Sequence, residues 1–170
     1  MSALKRDVER YGGWRSLFRE QSLYSVLLYR LGCRIDSISN SLLRRLACLF
    51  YFPIYRLFET LTGISIPKEV DIGGGLRIWH FGQIFIHPKV VIGENCTLRQ
   101  GVTLGNRRSD DDVPVIGNNV EFGANCIVIG SVTIGDNVKI GPMSLVLDDL
   151  PDNAVAVGNP AKIVRIRKQD

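Results

Sequence analysis

Large apolar residues recur every six positions through the middle and the C-terminal part of the chain. These positions are Ile72, Ile78, Ile86, Ile92, Leu98, Leu104, Ile116, Phe122, Val128, Ile134, Ile140 and Val146. An amphipathic helix would space its apolar residues by three or four, and a half-buried strand would alternate them by two. A period of six is instead typical of a parallel β-helix, in which each hexad forms one flat face of a coil. The pattern therefore predicts a mainly β protein whose core is a parallel β-helix.

Small residues complete each hexad. Glycine follows the large residue at Gly73, Gly93, Gly105, Gly117, Gly123, Gly135 and Gly141. A smaller apolar residue comes four places after the large one at Val90, Cys96, Val102, Val120, Cys126, Val132 and Val138. We expect the large side chains to fill the interior, and glycine or asparagine to occupy corners with positive φ.

Two irregularities interrupt the repeat. The step from Ile78 to Ile86 is eight residues long, and its extra residues bring in His80. Between Leu104 and Ile116 a polar loop carries three consecutive aspartates, residues 110–112. A departure from a regular pattern is where a functional site is expected, and loops on a rigid scaffold often carry function. For the aspartates, a solvated loop tip remains the alternative.

The first 62 residues have a helical pattern. One helix is indicated around Leu23 to Arg34, and Ser41 is a suitable N-cap for a second, strongly apolar helix. The longest uncharged run of that helix, from Leu46 to Tyr55, is too short to cross a bilayer, which takes about 20 residues. Two alternatives stay open for its apolar face: packing against neighbouring elements or sister subunits, and lying on a membrane surface.

Charge and cysteine usage narrow the function classes. The net charge is +4, and residues 1–62 carry ten Lys and Arg against five Asp and Glu, whereas residues 63–170 carry eleven against twelve. The basic segment favours contact with anionic lipid or phosphates, and no nucleic-acid-binding module accompanies it. The four cysteines lack CxxC spacing, so we expect packed, reduced thiols and a cytoplasmic protein. The charged N-terminus gives no indication of export.

Several motifs together resemble the hexapeptide-repeat acyltransferases. They are the hexads, HFGQIFIHP at residues 80–88, GVTLG at 101–105 and AVAVGNPAKIV at 154–164. The chain is most similar to the serine acetyltransferase-like branch, which includes O-acetyltransferases of bacterial exopolysaccharide and capsule assembly. The resemblance implies an N-terminal helical segment (1–62), a left-handed β-helix domain with a C-terminal cap (63–170), a homotrimer, and acetyl-CoA as co-substrate bound between subunits.

The resemblance also assigns roles at the reacting end. His80 matches the catalytic histidine of the family, and imidazole suits a general base at neutral pH. His87 is a candidate second catalytic residue. The acceptor end departs from serine acetyltransferases: Trp79 replaces an aspartate, Val113 a histidine, and Ser65 the carboxylate that orients the catalytic imidazole.

These departures argue against free serine and favour a sugar acceptor. Trp79 and Phe81 would form an aromatic wall for a sugar ring, with the loop residues Asp110, Asp111 and Asp112 as further acceptor contacts. The group that orients His80 is left open between Asp71, a loop aspartate of a neighbouring subunit and a backbone carbonyl.

The donor end matches the family better. The resemblance assigns the coenzyme to these residues: Gly105, Gly123, Ala124, Gly141, Pro142, Gly158, Asn159, Pro160, Ala161, Lys162 and Arg165. The pairs Gly123–Ala124 and Gly141–Pro142 would lie along the pantetheine arm, Gly105 would lie near the thioester, and the terminal turn at 158–161 would lie next to the adenine. Lys162 and Arg165 would neutralise phosphates. Pro142 removes one backbone N–H donor.

Four functions are therefore weighed. The favoured one is acetyl-CoA-dependent O-acetylation of a sugar hydroxyl on a glycan precursor, nucleotide-linked or lipid-linked, at the cytoplasmic membrane face. The alternatives are serine O-acetyltransferase of cysteine biosynthesis and a non-catalytic β-helix scaffold. A zinc carbonic anhydrase would need three histidine ligands; the chain has two histidines, and no metal is expected.

Overall fold

The computed structural model describes residues 1–168, and the predicted end of the second region at residue 170 lies outside them. Three α-helices and a 3-10 turn precede fifteen short strands. The helical elements are α1 (Ala3–Arg10), the 3-10 turn (Trp14–Phe18), α2 (Gln21–Asp36) and α3 (Ser41–Thr62). The strands then wind through about five coils into a parallel β-solenoid, which confirms the fold predicted from the hexads.

The strands stack into three sheets that form the faces of a triangular prism. Sheet A consists of β1 (Ile64–Ser65), β4 (Ile84–Ile86), β7 (Thr103–Gly105), β10 (Ile127–Ile129) and β13 (Leu145–Val146). Sheet B consists of β2 (Asp71–Ile72), β5 (Val91–Ile92), β8 (Val115–Ile116) and β11 (Thr133–Ile134). Sheet C consists of β3 (Arg77–Trp79), β6 (Thr97–Arg99), β9 (Glu121–Phe122), β12 (Lys139–Ile140), β14 (Ala154–Gly158) and β15 (Ala161–Ile166).

The hexad residues form the core as predicted. All twelve large positions are at most 4% exposed. Cys96 and Cys126 lie inside with free thiols, and burial raises the pKa of Cys96 to about 11 and that of Cys126 to about 12. These cysteines therefore act as small apolar side chains.

The prediction about the corners is half right. Asparagines do adopt positive φ, as at Asn125 (φ 56°), but the hexad glycines do not. Those glycines are needed because the coils stack closely: a Cβ on Gly123 would lie 2.4 Å from the backbone nitrogen of Pro142. Close backbone approach, not backbone conformation, explains why glycine follows the large residue.

The N-terminal helices close the open end of the first coil. Asp7 and Arg30 form a buried ion pair, with Nε 2.7 Å from Oδ2. Asp7 also accepts from the N–H groups of Gly75 and Leu76, and Arg30 donates to the carbonyls of Ile72 and Gly73. These side chains form hydrogen bonds with backbone groups at the end of the first coil, where no adjacent coil provides partners.

One detail of the helical segment, its N-cap, differs from expectation, and the domain boundary remains a prediction. Helix α3 begins one residue earlier than expected, because the N-cap is Asn40, whose Oδ1 accepts from the N–H groups of Leu42 and Leu43, and not Ser41. Helix α3 ends at Thr62, and Gly63 (φ 65°) caps it. The division into domains at residue 62 stays a prediction, since residues of α1 and α2 share one apolar core with the coils.

Candidate active site

The corners between sheets stack into edges of the prism, and two of these edges matter here. The edge from sheet C to sheet A, which we call the His80 edge, contains residues 80–83, 100–102, 123–126 and 141–144. The edge from sheet A to sheet B, which we call the loop edge, contains residues 66–70, 87–90, 106–114 and 130–132. Sheet A separates the two edges. The residues proposed from the sequence divide mainly between them.

His80 lies at an enlarged corner of its edge. Trp79 pairs with Arg99 and Phe85 with Thr103, so this corner holds two more residues than the corner above it. His80 adopts a positive φ of 66°, which is uncommon outside glycine and occurs at functional sites. The side chain is exposed, and it makes no hydrogen bond to any residue from 1 to 168. The distortion therefore presents a free imidazole to solvent.

Trp79, just before His80, is held by a stack of side chains. The guanidinium of Arg77 lies 3.9 Å from the centroid of the Trp79 ring and 4.5 Å from that of Tyr11. Arg77 is 7% exposed, and it donates to the carbonyl of Arg10 and to Glu20. Arg77 thus clamps an indole that remains 41% exposed. Phe81, on the same corner, is also exposed.

A groove of about 410 Å³ runs over sheet C beside this tryptophan. Its lining includes Trp79, Arg99, Gly123, Lys139 and Gly141. Arg99 makes no ion pair within residues 1–168, whereas Lys139 is 2.7 Å from Glu121. The groove therefore offers an aromatic surface and net positive charge next to two of the proposed coenzyme glycines.

Most of the proposed coenzyme residues follow the His80 edge. Gly123 and Ala124 occupy one corner and Gly141 and Pro142 the next, where the N–H of Met143 donates to the carbonyl of Ala124 (2.9 Å). The turn Gly158, Asn159, Pro160, Ala161 joins β14 to β15 at the end of this column. The edge thus presents a narrow track of small residues below His80.

The two proposed phosphate ligands are separated. In the antiparallel β14–β15 pair, Lys162 lies opposite Val157 near the terminal turn, whereas Arg165 lies opposite Val155 at the far side of sheet C. There Arg165 lines a groove of about 830 Å³ together with Asn119, Asn137 and Asn153. Only Lys162 stays beside the His80 edge.

The loop edge gathers the remaining candidates. Nε2 of His87 is 3.1 Å from Oδ1 of Asp110, and Nζ of Lys89 is bonded to Asp110 and is 2.6 Å from Asp111. The hydrogen bonds from Lys89 and then His87 lower the pKa of Asp110. Gly105 ends β7 beside His87, whose N–H donates to the carbonyl of Leu104. One chain does not bring His87, Gly105 or the aspartates to His80.

The same arrangement excludes one candidate for the group that orients His80. Asp71 lies on sheet B, the face opposite the His80 edge, so the Asp71 of the same chain is wrong for this role.

The sequence analysis missed one carboxylate, that of Glu59, which accepts a hydrogen bond from the hydroxyl of Ser65 at 2.5 Å. Burial opposes ionisation of Glu59, but hydrogen bonds from Ser65 and Arg56 outweigh it and lower its pKa. No sequence signal indicated this contact, because it joins a helix to a strand.

Residues 1–168 contain neither a cluster of metal-binding side chains nor a helix that could span a membrane. No group of three or more His, Cys, Asp or Glu side chains in this part of the chain could hold a metal ion. No helix in the same range is long and apolar enough to cross a bilayer.

Both the sequence and the fold are similar to those of known acetyltransferases. The family model for bacterial transferase hexapeptide (six repeats) matches residues 114–148. The putative colanic acid biosynthesis acetyltransferase WcaB of Escherichia coli is 40% identical over 146 residues, which are 84% of this chain and 90% of that protein. A serine acetyltransferase of Helicobacter pylori is 34% identical over 166 residues, 95% of this chain and 91% of that protein. A solved serine acetyltransferase in complex with CoA superimposes with a TM-score of 0.80 at 26% identity, over 95% of this chain and 68% of that one.

Proposed function

Because the chain belongs to the serine acetyltransferase-like branch of the hexapeptide-repeat acyltransferases, we propose that it acetylates a sugar hydroxyl of a bacterial exopolysaccharide or capsule precursor. Membership makes it a left-handed β-helix acetyltransferase with acetyl-CoA as co-substrate. The sugar acceptor, the residues that act and the assembly are our proposal.

The observation that carries this proposal is the division of the candidate residues between two edges of one prism. The proposed base and the small-residue track lie on the His80 edge. His87 and the aspartates lie on the loop edge, and Gly105 lies next to that edge at the end of β7. A complete site forms if the His80 edge of one copy meets the loop edge of the next, and three such contacts close a ring. The outward face of sheet A between these edges favours such a contact, since it is uncharged and exposes Phe85 and Ile127.

In the proposed reaction His80 is the general base. Its neutral imidazole takes the proton of the acceptor hydroxyl as that oxygen attacks the carbonyl carbon of the thioester. A tetrahedral intermediate forms and collapses with cleavage of the C–S bond, and the imidazolium of His80 gives its proton to the leaving thiolate. The products are the acetyl ester and the CoA thiol, and the imidazole is neutral again. His87, paired with Asp110 on the neighbouring copy, is proposed as a second polar group of the same cleft.

Trp79 supports a sugar acceptor over free serine. Arg77 packs against the indole and holds it in place, and the indole stays partly exposed beside His80. A flat apolar surface next to polar groups is how proteins hold sugar rings. A small amino acid would need charged groups for its ammonium and carboxylate, and the residue before His80 is the indole rather than a carboxylate. Phe81 and the loop aspartates complete the proposed acceptor contacts.

Serine acetyltransferase is the second candidate, because the Helicobacter pylori enzyme of that name matches nearly the whole chain. A non-catalytic scaffold is the third. We propose that the protein works in the cytoplasm on a nucleotide-linked or lipid-linked sugar, near the membrane in the lipid-linked case, without nucleic acid.

The test measures release of the CoA thiol from acetyl-CoA with two sets of acceptors: repeat-unit oligosaccharides of acetylated bacterial exopolysaccharides, and L-serine. We expect thiol release with at least one oligosaccharide, none above background with serine, and loss of release in His80→Ala. Fast turnover of serine would select the second candidate. A protein that does not bind acetyl-CoA by calorimetry would be a scaffold, and this result would contradict the proposal.

A further inference from the structure

Helix α3 presents a broad apolar face that nothing in residues 1–168 covers. Of its 22 residues only Tyr51 is buried, and Phe50 remains 71% exposed and Leu49 66%. The exposed large apolar residues of the helix are Leu42, Leu43, Leu46, Leu49, Phe50, Phe52, Ile54, Leu57 and Leu61. Such a face on a folded protein marks a contact surface.

Eight of these nine exposed residues form one continuous arc, and Phe52 lies outside it. At about 100° per residue, the positions from Leu49 round to Ile54 span an arc of about 140° on the side opposite Tyr51. Thr60 is the only polar residue in this arc, and the arc contains no charge. An arc of this width exceeds the narrow seam with which a helix packs in a coiled coil. Its length of about 30 Å, at 1.5 Å per residue, lies along one surface.

The charged side chains of the helical segment that form no ion pair within residues 1–168 all have one sign. The five acidic residues of the helical segment are each engaged in an ion pair: Asp7 with Arg30, Glu9 with Lys5, Glu20 with Arg77, Asp36 with Lys68, and Glu59 with Arg56. Apart from Arg10, whose guanidinium donates to the carbonyls of Gly75 and Asn95, five arginines of the segment form no ion pair within residues 1–168: Arg15, Arg19, Arg34, Arg44 and Arg45. Arg44 and Arg45 are exposed in the first turn of α3, and Arg45 and Arg56 lie at one margin of the apolar arc.

This charge pattern favours a membrane surface over a contact between two α3 faces. A second copy would bring the same unpaired arginines and no free carboxylate from its helical segment, so two α3 faces would bring like charges together. A bilayer surface that contains anionic lipid offers both an apolar interior for the arc and phosphates for the arginines.

We propose that α3 is an interfacial helix that binds the protein to anionic membrane surfaces, with its apolar arc inserted below the lipid headgroups. This inference does not depend on the acceptor. It gives the enzyme access to a bilayer without a spanning helix.

The test is flotation of the full chain with vesicles of phosphatidylcholine, alone or mixed with phosphatidylglycerol. We expect binding to the mixed vesicles, weak binding to phosphatidylcholine alone, and reduced binding at high salt. Phe50→Gln combined with Leu57→Gln should lower the partition coefficient at least tenfold. Arg45→Gln, at the margin of the arc, should lower it about fivefold on the anionic vesicles.

The matched control is Val91→Gln combined with Val115→Gln, two exposed, paired aliphatic residues on sheet B. This variant should bind as the native chain does. Circular dichroism and size-exclusion chromatography establish that each variant is folded. The proposal is overturned if the native chain fails to bind mixed vesicles, if the α3 variant binds unchanged, or if the sheet B control loses binding equally. If the native chain does not bind vesicles and the α3 variant has a lower particle mass than the native chain, the apolar face of α3 is a contact with a second copy.

Discussion

At the scale of single residues, the proposed site is defined by two neighbours with different constraints. His80 is exposed, adopts a positive φ and is free of hydrogen bonds within residues 1–168, whereas Trp79 is fixed by Arg77 and Tyr11. A free imidazole can accept a proton, and a fixed indole can position a ring without losing much side-chain freedom. The two residues are therefore expected to affect different kinetic constants.

Replacing His80 by alanine should reduce kcat by about 10²- to 10⁴-fold, the usual contribution of a general base. Affinity for CoA should change little, since the proposed coenzyme track lies on other corners. Steady-state thiol release and calorimetry with CoA measure the two quantities. His87→Ala is the comparison, with a smaller loss of kcat. Unchanged kcat in His80→Ala would contradict the role of the histidine.

Replacing Trp79 by alanine should raise KM for the sugar acceptor by about tenfold, the equivalent of about 1.4 kcal/mol. KM for acetyl-CoA should stay the same, because the indole is assigned to the acceptor alone. Phe18→Ala removes a more exposed aromatic ring elsewhere and serves as the control. If Trp79→Ala altered KM for acetyl-CoA and left the acceptor constant unchanged, the indole would belong to the donor subsite.

At the scale of elements, the coils owe their spacing to residues without side chains. The corner at Gly123 approaches the next coil so closely that a Cβ would contact backbone atoms of Gly141 and Pro142. Gly105 differs, because a Cβ there would meet only Ile129, at 3.9 Å. Similar hexad positions therefore tolerate a methyl group very differently.

Gly123→Ala should destabilise the protein by about 1–3 kcal/mol, the usual cost of forcing an extra methyl group into packed structure. Gly105→Ala, in the same position of another hexad, should leave stability nearly unchanged. Chemical denaturation of both variants measures the difference. Equal stability of the two variants would show that the coils can shift to accept the methyl group.

The loop at residues 106–114 is held by Asp112, whose carboxylate accepts from the hydroxyl of Ser131 at 2.7 Å. The hydrogen bonds from the Ser131 side chain and then from its N–H lower the pKa of Asp112. A lowered pKa means that this stabilisation is complete above the ordinary pKa of aspartate and is lost as pH falls through the lower value in the folded protein.

Asp112→Asn should therefore increase amide hydrogen exchange in residues 106–113 at neutral pH, and the native loop should loosen only in strong acid. Asp148→Asn, at an exposed corner outside the loop, should leave the exchange unchanged. Exchange measured by mass spectrometry compares the two variants. A native loop already released near pH 6 would contradict the direction of the pKa shift.

How well the sequence predicts the structure also differs from one element to another. The hexads predicted the coils and their buried residues, because a strict period leaves one way to bury the large side chains. Two contacts could not be predicted, because each depends on how the helices dock against the first coil. They are the stacking of Arg77 on Trp79 and the hydrogen bond of Ser65 to Glu59. The N-cap at Asn40 was missed by one residue, because Asn and Ser cap equally well.

At the scale of the whole molecule, sheet A is the proposed contact between copies. Phe85 and Ile127 project from its uncharged outer face between the two half-sites. We expect a particle of three times the 19.0 kDa mass of the chain. Phe85→Asp combined with Ile127→Asp should dissociate it and abolish activity, whereas Val91→Asp combined with Val115→Asp on sheet B should not. Light scattering measures the mass, and a dissociated variant that retained activity would exclude a shared site.

The most direct test of the account is the structure of the assembled protein with CoA bound, and in it the distance from the CoA sulfur to the imidazole of His80. The account predicts about 3–4 Å, close enough for reaction, with the coenzyme in contact with the loop edge of the neighbouring copy. A coenzyme held by one copy alone, with its sulfur far from every His80, would contradict it.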